Sequence, residues 1–163
     1  MKKLFLIRHA KATQDIANFE DFKRPIIYPG IKKTHKIIKY LQENSVVFDC
    51  IISSPATRAA ETALLIAKGL GFDKKNIVYD QRIYDMENVT FFDILSELDN
   101  SFSKVAIVGH NPELKLFANT FLKEDLISFP TSGVVCMEFE TNKWSDIKRA
   151  KFKTLFVVTP KTL

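Results

Sequence analysis

Apolar and polar positions alternate between two rhythms along this chain, and the alternation predicts strands followed by helices. Lys3 to Ile7 is a continuous apolar run of strand length, the pattern of a strand buried on both faces of a parallel sheet. From Gly30 to Asn44 the apolar residues Ile31, Ile38 and Leu41, with Ile37 beside them, recur at helical spacing while lysines take the other side. Val46 to Ser53 reads as a second strand. Ser54-Pro55 then offers an N-cap and a proline at the first helical position for a helix reaching about Lys68, ended by Gly69 and Gly71. Ile77 to Tyr79 is a short strand, and Phe91, Ile94, Leu95 and Leu98 mark one face of another helix.

Lys104 to Val108 continues the strand series, and Asn111-Pro112 repeats the cap-then-proline signal before a helix with Leu114, Phe117, Ala118 and Phe121 on one side. After Pro130 the character changes. Val134 to Phe139 and Arg149 to Val158 read as strands, with Thr141-Asn142-Lys143 as a turn between them. The prediction is an α/β fold, a three-layer sandwich whose mainly parallel central sheet is flanked by helices, with antiparallel strands toward the C-terminus.

Composition bounds this picture without changing it. With 163 residues, 46% of them hydrophobic and 26% charged, the chain suits one domain over residues 1–163 with a full core. Met1 to Ile7 begins like a signal peptide, but Arg8 and His9 cut the apolar run short, and no run approaches membrane-spanning length. Cys50 and Cys136 lie in apolar strand-like runs away from any ligand spacing, so reduced, buried thiols in a cytoplasmic protein are expected. The net charge is +5, densest at Lys32, Lys33, Lys36 and Lys39. No stacking aromatics or reading motif accompany them, which argues against nucleic acid. The lysines read as a solvated helix face, or as a docking face for an acidic partner or anionic substrate.

The candidate chemistry sits at strand ends. Leu6-Ile7-Arg8-His9 and Val108-Gly109-His110-Asn111 each run an apolar strand into a histidine, and Ile51-Ile52-Ser53-Ser54-Pro55-Ala56-Thr57-Arg58 delivers an arginine just past a helix start. In a parallel sheet those carboxyl ends share one edge, together with the N-termini of the helices that follow near Ala56 and Pro112. Taken singly, His9 fits a core histidine, Arg8 a surface cation, Arg58 an exposed first turn and His110 a cap-region residue. Together they point elsewhere. An arginine directly after an apolar strand needs an anion, and a cation at a helix N-terminus is misplaced without one. The expected ligand is compact and anionic, with phosphate the first candidate. His35, among the helix lysines, is expected in solvent.

These blocks carry a family resemblance. Leu6-Ile7-Arg8-His9-Ala10-Lys11-Ala12 resembles the signature of the histidine phosphatase superfamily, the phosphoglycerate-mutase-like group, whose usual third residue is glycine. The alanine here, with Lys-Ala after it, is similar to the small SixA-type phosphohistidine phosphatases. Lys23-Arg24-Pro25-Ile26, Ser53 to Thr62, Val108 to Pro112 and Phe129 to Gly133 resemble further family segments in the right order.

The resemblance implies that His9 attacks phosphorus and carries the phosphoryl group. A backbone carbonyl would fix its tautomer, Arg8 and Arg58 would clamp the phosphoryl oxygens, and a protonated His110 would donate beside them. No metal and no cofactor are implied. Asp85, or Glu87 after it, is the candidate general acid, either of which could equally be an ordinary loop carboxylate. The short chain leaves little room for a lid. An uncovered site suits a phosphohistidine on a signalling or phosphotransfer protein, with a small phosphate ester as the alternative substrate. A non-catalytic phosphate-binding or scaffold protein is the more distant alternative.

Overall fold

A computed structural model describes residues 1–163. Six strands form one sheet: β1 (Lys2–Arg8), β2 (Cys50–Ser53), β3 (Val78–Tyr79), β4 (Lys104–Gly109), β5 (Val134–Phe139) and β6 (Phe152–Val158). Their order across the sheet is β3-β2-β4-β1-β5-β6. The first four run parallel, and β5 and β6 pair antiparallel at the β1 edge. The expected three-layer arrangement is therefore present.

The period of two along the central strands explains their unbroken apolar runs. Leu4 and Leu6 of β1, with Val105 and Ile107 of β4, face helices α4 (Phe91–Ser96) and α5 (Glu113–Asn119). Phe5, Ile7, Ala106 and Val108 face α1 (Tyr28–Glu43) and α2 (Thr57–Leu70) on the opposite side. Both faces are buried, so no polar alternation survives. Helix α1 presents Ile37, Ile38 and Leu41 to this second core and leaves Lys32, Lys33, Lys36, Lys39 and His35 exposed, as its pattern predicts. Cys50 and Cys136 are free and buried, and burial pushes their thiols up to about 11 and about 12.

Several boundaries differ from the sequence reading, and the larger differences have local reasons. Strand β2 begins at Cys50, opposite Val105 near the start of β4, so Val46 to Phe48 have no strand to pair with. Helix α2 begins at Thr57 with Ala56 at its cap position, and Gly69 lies inside it. A Cβ on Gly69 would fall 2.4 Å from Cγ2 of Ile38, so this glycine lets α2 approach α1, and Gly71, at φ 71°, ends the helix. Helix α5 begins at Glu113, one residue beyond Pro112. Between β5 and β6 the chain makes a 3-10 turn at Trp144–Asp146 that buries Trp144, whose indole N-H donates to the Phe102 carbonyl at 2.9 Å.

Candidate active site

Parallel register brings the predicted residues together. Arg8 is opposite Gly109 and Ser53 opposite Val108, so the exits of β1, β4 and β2 lie side by side. Backbone bonds continue the sheet past its formal ends: the His9 N-H donates to the Gly109 carbonyl and the Ser54 N-H to the Val108 carbonyl, both at 3.0 Å. The Ser132 N-H then reaches the carbonyls of Arg8 and His9, at 3.1 Å each. The His9 and His110 rings come to rest with centroids 5.1 Å apart. His9, Arg58 and His110 are 8%, 6% and 7% exposed, unusual burial for such groups, and of the three only Arg58 has a partner of opposite charge, Asp21.

The tautomer of His9 follows from its bond. Nδ1 lies 2.7 Å from the carbonyl of Ala10, which can only accept, so the proton sits on Nδ1 and the Nε2 lone pair is free. That carbonyl is itself held in place. The Ala10 N-H donates to the Thr62 hydroxyl at 2.8 Å, and the hydroxyl donates to the Arg58 carbonyl at 2.7 Å, tying the exit of β1 to the first turns of α2. Burial drives the His9 imidazole down to about 4 against the opposing pull of the Ala10 bond, with the charges of Arg58, Arg8 and Arg24 adding to the drop.

His110 is expected to be protonated beside a phosphoryl group, and the protein's own groups favour its other state. Burial, then His9 and Arg58, push it down to about 3, and Asp21 opposes them only in part. It is neutral in this site, and an incoming phosphoryl anion is the kind of charge that would raise it. Its Nε2 lies 2.7 Å from the Ser54 hydroxyl. The same hydroxyl accepts the Ala56 N-H at 3.2 Å, so its own proton is available to Nε2, an assignment that leaves Nδ1-H as a buried donor.

The two arginines are anchored alike. Arg8 donates from Nη1 to the Phe129 carbonyl at 3.0 Å, and Arg58 donates from Nη1 to the Asp21 carbonyl at 2.7 Å. Each therefore keeps its Nε edge, the side of the guanidinium suited to a forked contact with two oxygens, away from its anchor. Four buried side-chain polar atoms lack a hydrogen-bond partner: Nε of Arg8, Nε of Arg58, Nδ1 of His110 and Oδ1 of Asn111. All four belong to this edge of the sheet. Buried donors left in this way are costly, and three of them around one neutral histidine fit a bound oxyanion. Burial, and then the nearby Arg58, also lower the pKa of Arg8, the cost of holding two cations together.

Asp21 is the residue that sequence reasoning missed. Its carboxylate accepts from Arg58 Nη2 at 3.2 Å, from Arg24 Nε and Nη2 at 3.1 and 3.0 Å, and from the Tyr84 hydroxyl at 2.8 Å. Partial burial works against the charge, but the bonds from Tyr84 and Arg24 and the charge of Arg58 outweigh it and hold the carboxyl down at about 2. Asp21 thus fixes both terminal nitrogens of Arg58. Tyr84, the last residue of the short helix α3 (Gln81–Tyr84), also sets its ring edge-on to His110 at 5.7 Å and to Phe22 at 4.9 Å. Asp85 and Glu87 do not join this cluster: both are exposed, and neither side chain makes a hydrogen bond or ion pair.

These pKa values predict a titration. In a pH series followed by NMR, the ring signals of His9 and His110 are expected to titrate near 4 and near 3, well below the usual 6.5. Because the folded values lie below the unfolded one, the unfolded chain binds more protons, so both histidines withdraw stability as pH falls from 6.5 toward 4. Midpoints near 6.5 would mean that the two rings are solvated.

A mainly parallel α/β sheet whose carboxyl edge gathers two histidines and two arginines defines a phosphoryl-handling protein. The chain belongs to the histidine phosphatase superfamily: residues 4–97 match the profile of its branch 1, a span that contains Arg8, His9 and Arg58. Phosphatase is accordingly its class of activity. The chain is 25% identical, over 152 residues, to the uncharacterized protein Rv1276c of Mycobacterium tuberculosis, covering 87% of this chain and 92% of that one. Among solved structures it superimposes on a candidate phosphohistidine phosphatase SixA from Agrobacterium tumefaciens with a TM-score of 0.79 at 24% identity, over 98% of each chain. A protein histidine phosphatase SixA complexed with tungstate matches at 0.76 and 17%, again over 98% of each chain. A mycobacterial glucosyl-3-phosphoglycerate phosphatase matches at 0.63 and 12%, over 94% of this chain and 97% of that one. These likenesses establish the fold.

Proposed function

We propose that the protein is a phosphatase that forms a covalent phosphohistidine on His9 and acts on phosphohistidine carried by another protein. The observation that carries the reading is the set of unpartnered buried donors, Nε of both arginines and Nδ1 of His110, beside a histidine whose Nε2 lone pair is free. Nε2 attacks phosphorus while the bond to the leaving group breaks, and Arg8, Arg58 and His110 take the charge of the equatorial oxygens. Water then attacks the phosphoryl group, the bond to Nε2 breaks, and His9 returns neutral as inorganic phosphate departs. The arginines supply the positive charge that other phosphatases draw from a metal.

The leaving group is read from the carboxylates. An alkoxide needs a proton from an acid as it leaves, yet the one carboxylate bound into the cluster, Asp21, is held at about 2 and is ionised at neutral pH. A phosphorylated imidazole that carries a proton on its second nitrogen leaves as neutral imidazole once its bond to phosphorus breaks. It makes no such demand. Asp21 is exposed, so the cluster meets the surface on the side from which a side chain projecting from a partner would approach.

The test is a side-by-side rate comparison on a phosphohistidine-bearing protein, phosphoimidazole and a panel of sugar phosphates. The expected kcat/KM is at least about 100-fold higher on the phosphoramidates, roughly the discrimination that a missing proton donor produces. Equal or faster hydrolysis of the sugar phosphates would select a small-molecule phosphomonoesterase, with Asp85 or Glu87 swinging in as the acid.

A further inference from the structure

We propose that the groove between α1 and the C-terminal 3-10 turn Pro160–Thr162 binds an acidic segment of the phosphoprotein substrate beside the phosphorylated residue. This rests on the reading above that the substrate is a protein. The groove holds about 440 Å³ and is lined by Lys33, Lys36 and Lys161, with Pro130, Thr131 and Pro160 among its walls. The three lysines are exposed, and none makes a hydrogen bond or an ion pair within the chain. Three unpaired ammonium groups around one concavity attract carboxylates and repel cations.

The groove shares a chain segment with the catalytic edge. Its wall at Pro130 and Thr131 belongs to the segment that backs the nucleophile: Phe129 just before it accepts from Arg8, and Ser132 just after it donates to the carbonyls of Arg8 and His9. The Ser132 hydroxyl also lies 2.8 Å from that of Thr34, the neighbour of Lys33 on α1. A phosphohistidine seated against His9 Nε2 would carry its flanking backbone across Thr131 within a few residues, at roughly 3.3 Å per extended residue. The patch also has an end. The adjoining concavity contains Lys36, Lys39 and Glu43, and Lys39 is paired with Glu43 at 3.9 Å, so the unbalanced charge stops near Lys36. The lysine face expected from sequence thus narrows to two of its four members, joined by Lys161 from the far end of the chain.

The experiment uses three peptides that carry one histidine and differ only in acidic, neutral or basic flanks. Binding of the unphosphorylated peptides is read by fluorescence anisotropy, and hydrolysis is read on the phosphorylated ones and on phosphoimidazole. The acidic peptide is expected to bind about 10-fold or more tightly than the neutral one at low salt, with the gap closing as salt rises. Lys33→Glu/Lys36→Glu should abolish that preference and leave phosphoimidazole hydrolysis unchanged. Lys74→Glu/Lys75→Glu, an equal change in net charge on exposed lysines before β3 at the other edge of the sheet, should preserve it. Equal binding of all three peptides, or an equal loss in both double variants, would overturn the docking surface. Absent hydrolysis with the binding preference intact would instead count against the phosphohistidine reading alone.

Discussion

His9→Ala is expected to lose phosphate release by roughly 10⁴-fold or more in kcat, because it removes the only group placed to take the phosphoryl covalently. The fold should survive. The imidazole makes a single hydrogen bond, to the carbonyl next in the chain, and the strand exit around it is held by backbone bonds to Gly109 and Ser132. The variant should still bind an inorganic oxyanion such as tungstate, since the Nε edges of Arg8 and Arg58 remain. Loss of activity with retained anion binding separates a nucleophile from a structural histidine. A residual rate within about 10-fold of the parent would leave His9 as a binding group only.

Arg58→Lys is expected to lower kcat/KM by roughly 10²- to 10³-fold, about 3 to 4 kcal/mol of transition-state stabilisation. The change keeps the charge and removes the geometry. Arg58 uses Nη1 and Nη2 on Asp21 and keeps Nε for the ligand, three directions from one rigid plane. A lysine ammonium is one point on a flexible stem and cannot hold Asp21 and a phosphoryl oxygen in fixed relation. Asp21 stays anchored by Arg24 and Tyr84 in the variant, so the loss would report the arginine and not collapse of the turn. A steady-state comparison with melting curves for both proteins checks this, and a loss under about 3-fold would remove Arg58 from the clamp.

The part of the site built by the sheet was readable in advance. Apolar runs ending in Arg8-His9 and Gly109-His110 imply parallel strands with a shared carboxyl edge, and the register of Arg8 opposite Gly109 realises it. The part built by tertiary contact was not readable. Asp21 sits on a single 3-10 turn with no periodicity, and its partners Arg58 and Tyr84 lie 37 and 63 residues away in sequence. In the segment after β3, where Asp85 or Glu87 is the expected acid, it is Tyr84 that packs on His110, while Asp85, one residue on, faces solvent.

The two expected helix caps, Ser54 and Asn111, fail for a common cause. Ser54 and Asn111 stand before prolines and resemble N-caps, yet Ser54 meets His110 and Asn111 donates to the Phe129 carbonyl that also anchors Arg8. Residue types that usually cap helices are drawn into the site, and the helices begin later with no side-chain cap. Local rules give way where function competes for the same side chain. The charge of His110 also depends on the ligand: burial among cations keeps the ring neutral among the protein's own groups, and the protonated ring expected beside a phosphoryl group belongs to the complex.

The central claim is that phosphate passes through His9, and its most direct test is to catch it there. The protein would be mixed with phosphoimidazole, quenched within a turnover in neutral denaturant, digested and examined by mass spectrometry. The expected result is one phosphoryl group on the peptide that contains His9, lost on mild acid treatment and absent from His9→Ala. Full turnover with that peptide unmodified, or with the phosphoryl group on another residue, would contradict it.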